Sequence, residues 1–192
     1  RGLVVSEMCI RDRTYTQDEL RWAVDEVERQ GAGPEAVLHF LAAWDYAKGE
    51  FFPANKDTLD LQIRFVNELV RGQLPNGRAY RETPVVFANG NKGAPWQEVP
   101  RLMDRLCESD LLWTTPDAFV LEFLSIHPFE DGNGRTASII MNRRTLGSHG
   151  SIGVVAHQKM ACYPFRNVPE PTNWVDTYVP PRPAGWETQS AS

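Results

Sequence analysis

Nine consecutive residues concentrate the chemistry of this chain: His127, Pro128, Phe129, Glu130, Asp131, Gly132, Asn133, Gly134 and Arg135. An imidazole accepts a proton near neutral pH, which suits His127 to general-base work. Asp131 is a hard oxygen ligand suited to Mg²⁺. The glycines flanking Asn133 let the backbone approach a ligand closely, and successive N–H groups there can form an anion nest. A helix beginning near Gly134 or Arg135 would aim its positive end at the same point. Arg135 supplies a planar fork for phosphate oxygens. A base, a metal carboxylate, an anion nest and an arginine so close together suit transfer of a phosphorus-centred group to a hydroxyl. Phe129 reads as the loop's apolar anchor and Glu130 as a solvent-facing residue.

The elements that must position this segment are helical. Thr115, Pro116 and Asp117 make a helix start, with Thr115 as cap. Phe119, Val120, Leu121, Phe123, Leu124 and Ile126 follow, apolar nearly all round, which predicts a buried central helix. Pro128 disfavours helical geometry at the residue before it, so the helix ends at His127. Upstream, a helix is expected from the Thr16 cap to about Gln30, with Leu20, Ala23, Val24 and Val27 on its inner face. A second runs from Pro34 through Ala47 and a third from about Thr58 to Val70, with Leu59, Ile63, Val66 and Leu69 inward. Thr83 to Ala88 is β-prone and Asn89-Gly90 favours a hairpin. A further helix covers roughly residues 95–109. Trp44 and Trp96 are expected in the core, Arg78, Tyr80 and Arg81 in support of the fold, and residues 151–156 in a strand. His39 is assigned a surface or core place, and His149 and His157 no function.

The segment 127–135 resembles the Fic (Fido-fold) family pattern His-Pro-Phe-x-Asp/Glu-Gly-Asn-Gly-Arg-x-x-Arg and matches its first nine positions without a gap. Asn76 to Arg81, the 85–87 segment and the helix from Trp96 are similar to that family's flap and following helix. The resemblance covers roughly residues 35–145. It implies a mainly α fold, a Fido/Fic helical bundle with a short β-hairpin flap before the active-site helices. It implies transfer of AMP from ATP to a Ser, Thr or Tyr hydroxyl of a target protein. On this resemblance His127 is the general base, and Asp131 holds Mg²⁺ across the α- and β-phosphates. Gly132, Asn133 and Gly134 form the anion hole, with Asn133 also reaching phosphate, and Arg135 stabilises the departing phosphates. Thr83, Pro84, Val85, Val86 and Phe87 form the flap that pins the target segment as an added strand.

The chain departs from the pattern at its last position, where Ser138 stands in place of the second arginine. Serine supplies neither that charge nor that fork. Arg143 lies two further turns along, roughly 12 Å from Arg135 at the helical rise, too far to substitute. On this resemblance Ser138→Arg is expected to raise AMP transfer. Two alternatives stay open: phosphoryl transfer of the death-on-curing kind, and a non-catalytic module that binds nucleotide or protein. The family's inhibitory pattern Ser/Thr-x-x-x-Glu-Gly/Asn does not occur, since no Glu is followed by Gly or Asn. A separate inhibitory, antitoxin-like protein supplies that control, or the element lies outside the sequence, or there is none.

Composition bounds the rest. The 192 residues carry a net charge of −5 and are 42% hydrophobic, enough for a core and without an overall pull toward nucleic acid or an anionic membrane. Three cysteines, widely spaced and without CxxC, argue against a disulfide framework or zinc site and for reduced thiols in a cytoplasmic protein. No apolar run is long enough to span a bilayer, and no secretory signal pattern is seen. The chain starts at Arg1 without an initiator Met and is read as a fragment. Residues 1–13 read as non-native or disordered, 14–34 as an N-terminal helix, 35–146 as the Fic/Fido domain, and 147–192 as a poorly patterned segment and tail.

Overall fold

The computed structural model describes residues 15–49, 55–77, 79–87 and 90–149. The expectations for residues 1–13, for Arg78, for the hairpin tip at Asn89, for the 151–156 strand and for His157 and the tail beyond residue 149 lie outside the described residues. The described chain is helical: α1 (Gln17–Arg29), α2 (Glu35–Lys48), α3 (Lys56–Val70), a 3-10 turn (Trp96–Glu98), α4 (Val99–Glu108), α5 (Leu111–Thr114), α6 (Pro116–Ile126) and α7 (Asn133–His149). No helix among the described residues is long and apolar enough to cross a membrane.

Helix α6 is the buried centre that its composition predicts: every residue from Ala118 to Ile126 is buried. Helix α7 packs along it and also touches α1, α2 and α3. Its Thr136, Ala137, Ser138, Ile139, Ile140 and Asn142 are all buried. Helix α3 contributes Leu59, Ile63, Val66 and Val70, and α4 adds Val99, Leu102, Met103 and Leu106. Arg143, the more distant candidate cation, donates Nε to the Ala47 carbonyl at 2.7 Å and so closes the end of α2.

Helix α1 begins where expected, with a reciprocal capping box between Thr16 and Glu19. Its inner face differs from the predicted one. Leu20 and Val24 are exposed, and Glu19, Ala23, Glu26 and Val27 are buried. The reason is a polar anchor. Glu19 Oε1 accepts from Trp44 Nε1 at 2.7 Å and from Lys48 Nζ at 2.8 Å, while the Trp22 ring packs edge-on to Phe40 and Trp44. Burial alone would raise the Glu19 carboxyl pKa, but the Lys48, Thr16 and Trp44 hydrogen bonds outweigh it and hold it at about 2.

Other differences are local. Helix α3 starts at Lys56, because Asn55 accepts the Thr58 amide and caps the turn before it. Thr115 precedes α6 without a side-chain capping bond, its amide donating instead to Leu111 at the turn of α5. Trp44 is fully buried, but Trp96 is exposed on the 3-10 turn that leads into α4, which takes it out of the core. The β-prone segment makes no strand among the described residues. Val86 and Lys92 form a single antiparallel bridge, supported by Phe87 N to Asn91 O and Gly93 N to Val85 O. The return arm, Asn91-Lys92-Gly93, lacks side chains that extend a ladder.

Candidate active site

Helix α6 delivers His127 at its end in the left-handed conformation, φ 54° and ψ 63°. It is the one non-glycine residue with positive φ among those described. Pro128 disfavours α-helical geometry at this position, and a left-handed residue costs free energy that the surroundings must offset. Arg81 supplies much of that offset. Its Nε donates to the His127 carbonyl at 2.6 Å, its Nη2 to the carbonyls of Ile126 and Ala94, and its Nη1 to Thr83. Its own amide donates to Pro128 O at 2.9 Å. One 4%-exposed guanidinium thus ties the end of α6 to both ends of the 83–94 segment, the fold support expected of it.

The His127 ring stands edge-on to Phe87, centroids 4.9 Å apart. Its Nδ1 is enclosed, which leaves Nε2 as the nitrogen able to exchange a proton. Burial, reinforced by the Arg81 charge, lowers its pKa to about 4 against the opposing pull of Leu124 and Asp131. At neutral pH the ring is therefore uncharged, the proton-accepting form.

The loop from Phe129 to Gly132 is folded by its own polar groups. Asn133 Oδ1 accepts from Phe129 N at 3.0 Å, and its Nδ2 donates to Phe129 O at 2.7 Å. Its side chain is thus committed to shaping the turn, leaving its backbone amide at the start of α7. Phe129 is buried beside Tyr80 and Phe123, whereas Glu130 is exposed. Gly132 has φ +78°, and a Cβ there would stand 3.0 Å from Asn67 Nδ2 and Val70 Cγ2. The loop can lie this close to α3 only with glycine.

Arg135 is 5% exposed. It donates Nη1 to the Val70 carbonyl at 3.0 Å and Nη2 to Asp131 Oδ2 at 2.8 Å. The Asp131 side chain is 68% exposed, so the pair offers a carboxylate to solvent from a buried arginine. No group of three or more His, Cys, Asp or Glu residues able to hold a metal occurs among the described residues. A single carboxylate fits Mg²⁺, which takes most of its ligands from phosphate and water.

Ser138 is fully buried and its hydroxyl accepts from Trp22 Nε1 at 3.2 Å. Position 138 therefore faces α1, and the expected gain from Ser138→Arg is replaced by the prospect of a clash. In the flap segment Thr83, Pro84 and Val86 are exposed, and Val85 and Phe87 are half-buried. Sequence reasoning missed Asn67, whose Nδ2 donates to the Asp131 carbonyl at 2.9 Å and to Thr136 Oγ1 at 3.2 Å. Its signal was a polar residue at an inward position of α3, between Val66 and Val70.

The profile of the Fic/DOC family matches residues 56–143, from the start of α3 into α7. No curated protein sequence matches. Among solved structures, a Fic family protein from Desulfovibrio desulfuricans G20 is 24% identical with a TM-score of 0.48, covering 78% of this chain and 48% of that one. A Fic domain containing signaling protein from Bacteroides thetaiotaomicron VPI-5482 is 22% identical with a TM-score of 0.47, covering 80% and 64%. IbpAFic2 covalently tethered to Cdc42 is 15% identical with a TM-score of 0.48, covering 77% and 55%. The chain thus spans only about half to under two thirds of the structures it resembles.

Proposed function

We propose that this domain transfers AMP from ATP to a Ser, Thr or Tyr hydroxyl of a target protein. The observation that carries the reading is an uncharged, largely buried imidazole at one end of a five-residue loop whose other end is the N-terminus of α7. The target hydroxyl oxygen attacks the α-phosphorus, its proton passes to His127 Nε2, and pyrophosphate leaves with the electrons of the bridging bond. A polyanionic nucleotide beside the ring raises its proton affinity from the resting value, which suits it to take that proton.

The backbone amides of Gly132, Asn133 and Gly134 form the anion hole at the positive end of α7. Asp131 would hold Mg²⁺, which when bound neutralises charge on the α- and β-phosphates. Arg135 fixes the Asp131 carboxylate and adds its own positive charge on the side of the departing phosphates. Residues 83–87 pin the target by strand addition, the exposed Val86 marking the outward edge. Control by a separate inhibitory protein is part of the same reading.

Incubation with α- and γ-labelled ATP and Mg²⁺, comparing wild type with His127→Ala, tests it. His127-dependent protein label from the α position is the expected result. Label from the γ position alone would establish phosphoryl transfer instead. ATP binding with no His127-dependent label would establish a binding module.

A further inference from the structure

Beside the loop lies a cleft of about 250 Å³ whose lining includes Arg71, Tyr80, Arg81, Glu82, Phe129 and Glu130. Its charged residues differ in exposure. The two carboxylates, Glu82 and Glu130, are exposed, whereas Arg71 is half-buried and Arg81 is buried. Arg81 has no carboxylate partner among the described residues. Its hydrogen bonds all go to backbone carbonyls, which leave its charge uncompensated, and burial lowers its pKa. The guanidinium of Arg71 has neither hydrogen bond nor ion pair among the described residues. A buried cation normally has a counter-ion; Arg81 has none among the described residues, and Arg71 lines the same cleft with its head unpaired.

Arg71 also has a specific neighbour. It follows Val70, whose carbonyl accepts from Arg135. Its Cγ lies 3.5 Å from where a Cβ on Gly132 would stand. The stem of Arg71 therefore runs past the loop glycine, and Arg71 and Arg135 flank the same peptide at the end of α3. Nothing anchors the Arg71 head, so a ligand anion at the loop can draw it in at little cost in broken bonds.

We infer that Arg71 is a second phosphate-binding cation of this site, delivered by α3 and taking the outer phosphates of the nucleotide. This inference rests on the nucleotide-transfer reading and deepens it. It assigns the outer phosphates to a side chain from a different helix than the one that carries Arg135.

Calorimetric titration with ATP, ADP and AMP, each with Mg²⁺, on wild type, Arg71→Gln and Arg71→Lys tests the assignment. Arg71→Gln is expected to weaken ATP about tenfold and AMP by less than about twofold, since one charge-assisted contact to an outer phosphate is lost. Arg71→Lys keeps the charge without the fork and falls between. Unchanged thermal midpoints show that the variants fold. Equal ATP affinity in wild type and Arg71→Gln overturns the inference and leaves the nucleotide reading standing. Equal ATP affinity with reduced labelling of protein overturns it in favour of a contact to the target. A wild type that binds none of the three nucleotides overturns both readings at once.

Discussion

His127 combines two properties that pull against each other. In the unfolded chain an imidazole titrates near 6.5, and in the folded chain burial, with the Arg81 charge, brings it to about 4. Between those values the unfolded state holds a proton that the folded state lacks. Stability is therefore lost as pH falls from 6.5 toward 4, by about 3 kcal/mol at the lower end. His127→Ala removes this penalty along with the base. Urea unfolding of the variant should show a flatter pH dependence between 7 and 4 than wild type, while α-label transfer drops at least about 100-fold. An acid loss of stability as large as that of the wild type would mean that another group titrates in this window.

At the scale of elements, the site depends on how the loop between α6 and α7 is seated on α3. Gly132 meets Asn67 and Val70, Asn67 holds the Asp131 carbonyl and Thr136, and Arg135 reaches Val70. Gly132→Ala would place a methyl group against Asn67 and Val70 at a backbone angle that L residues rarely adopt. The expected cost is about 1–3 kcal/mol, with loss of transfer larger than the stability change implies, because the loop must lift off α3. Denaturant midpoints measured beside label transfer check this. A variant with wild-type transfer would show that the seating is not needed for the reaction.

At the scale of the molecule, α1 decides what position 138 can do. Trp22 covers Ser138, and the Glu19 anchor holds α1 on α2. Ser138→Arg must bury a long cation with no space and no counter-ion, which should cost about 3 kcal/mol or more. Trp22→Gly opens space beside it, so the double variant should be more stable than the sum of the two single losses predicts. Chemical denaturation of the four proteins measures the coupling. Stability and transfer by Ser138→Arg at or above wild-type levels would mean that α1 yields readily at this point.

The chain's own order determined much of this protein. The apolar run from Phe119 to Ile126 specified a buried helix, and Pro128 specified its end at His127, because both are short-range effects of burial and backbone sterics. The run from His127 to Arg135 could be read as one candidate site for the same reason: its neighbours in sequence are neighbours in space. Long-range packing decided the remainder. That Leu20 and Val24 face out follows from where Trp22 and Glu19 find partners on α2 and α7, which no periodicity within α1 encodes. Ser138, on the same helix as Arg135, looked like an empty place in a phosphate site until α1 was seen to cover it. Asn67, Arg81 and Arg71 reach the loop from remote parts of the chain. Their relation to His127 and Gly132 exists only once the helices have packed.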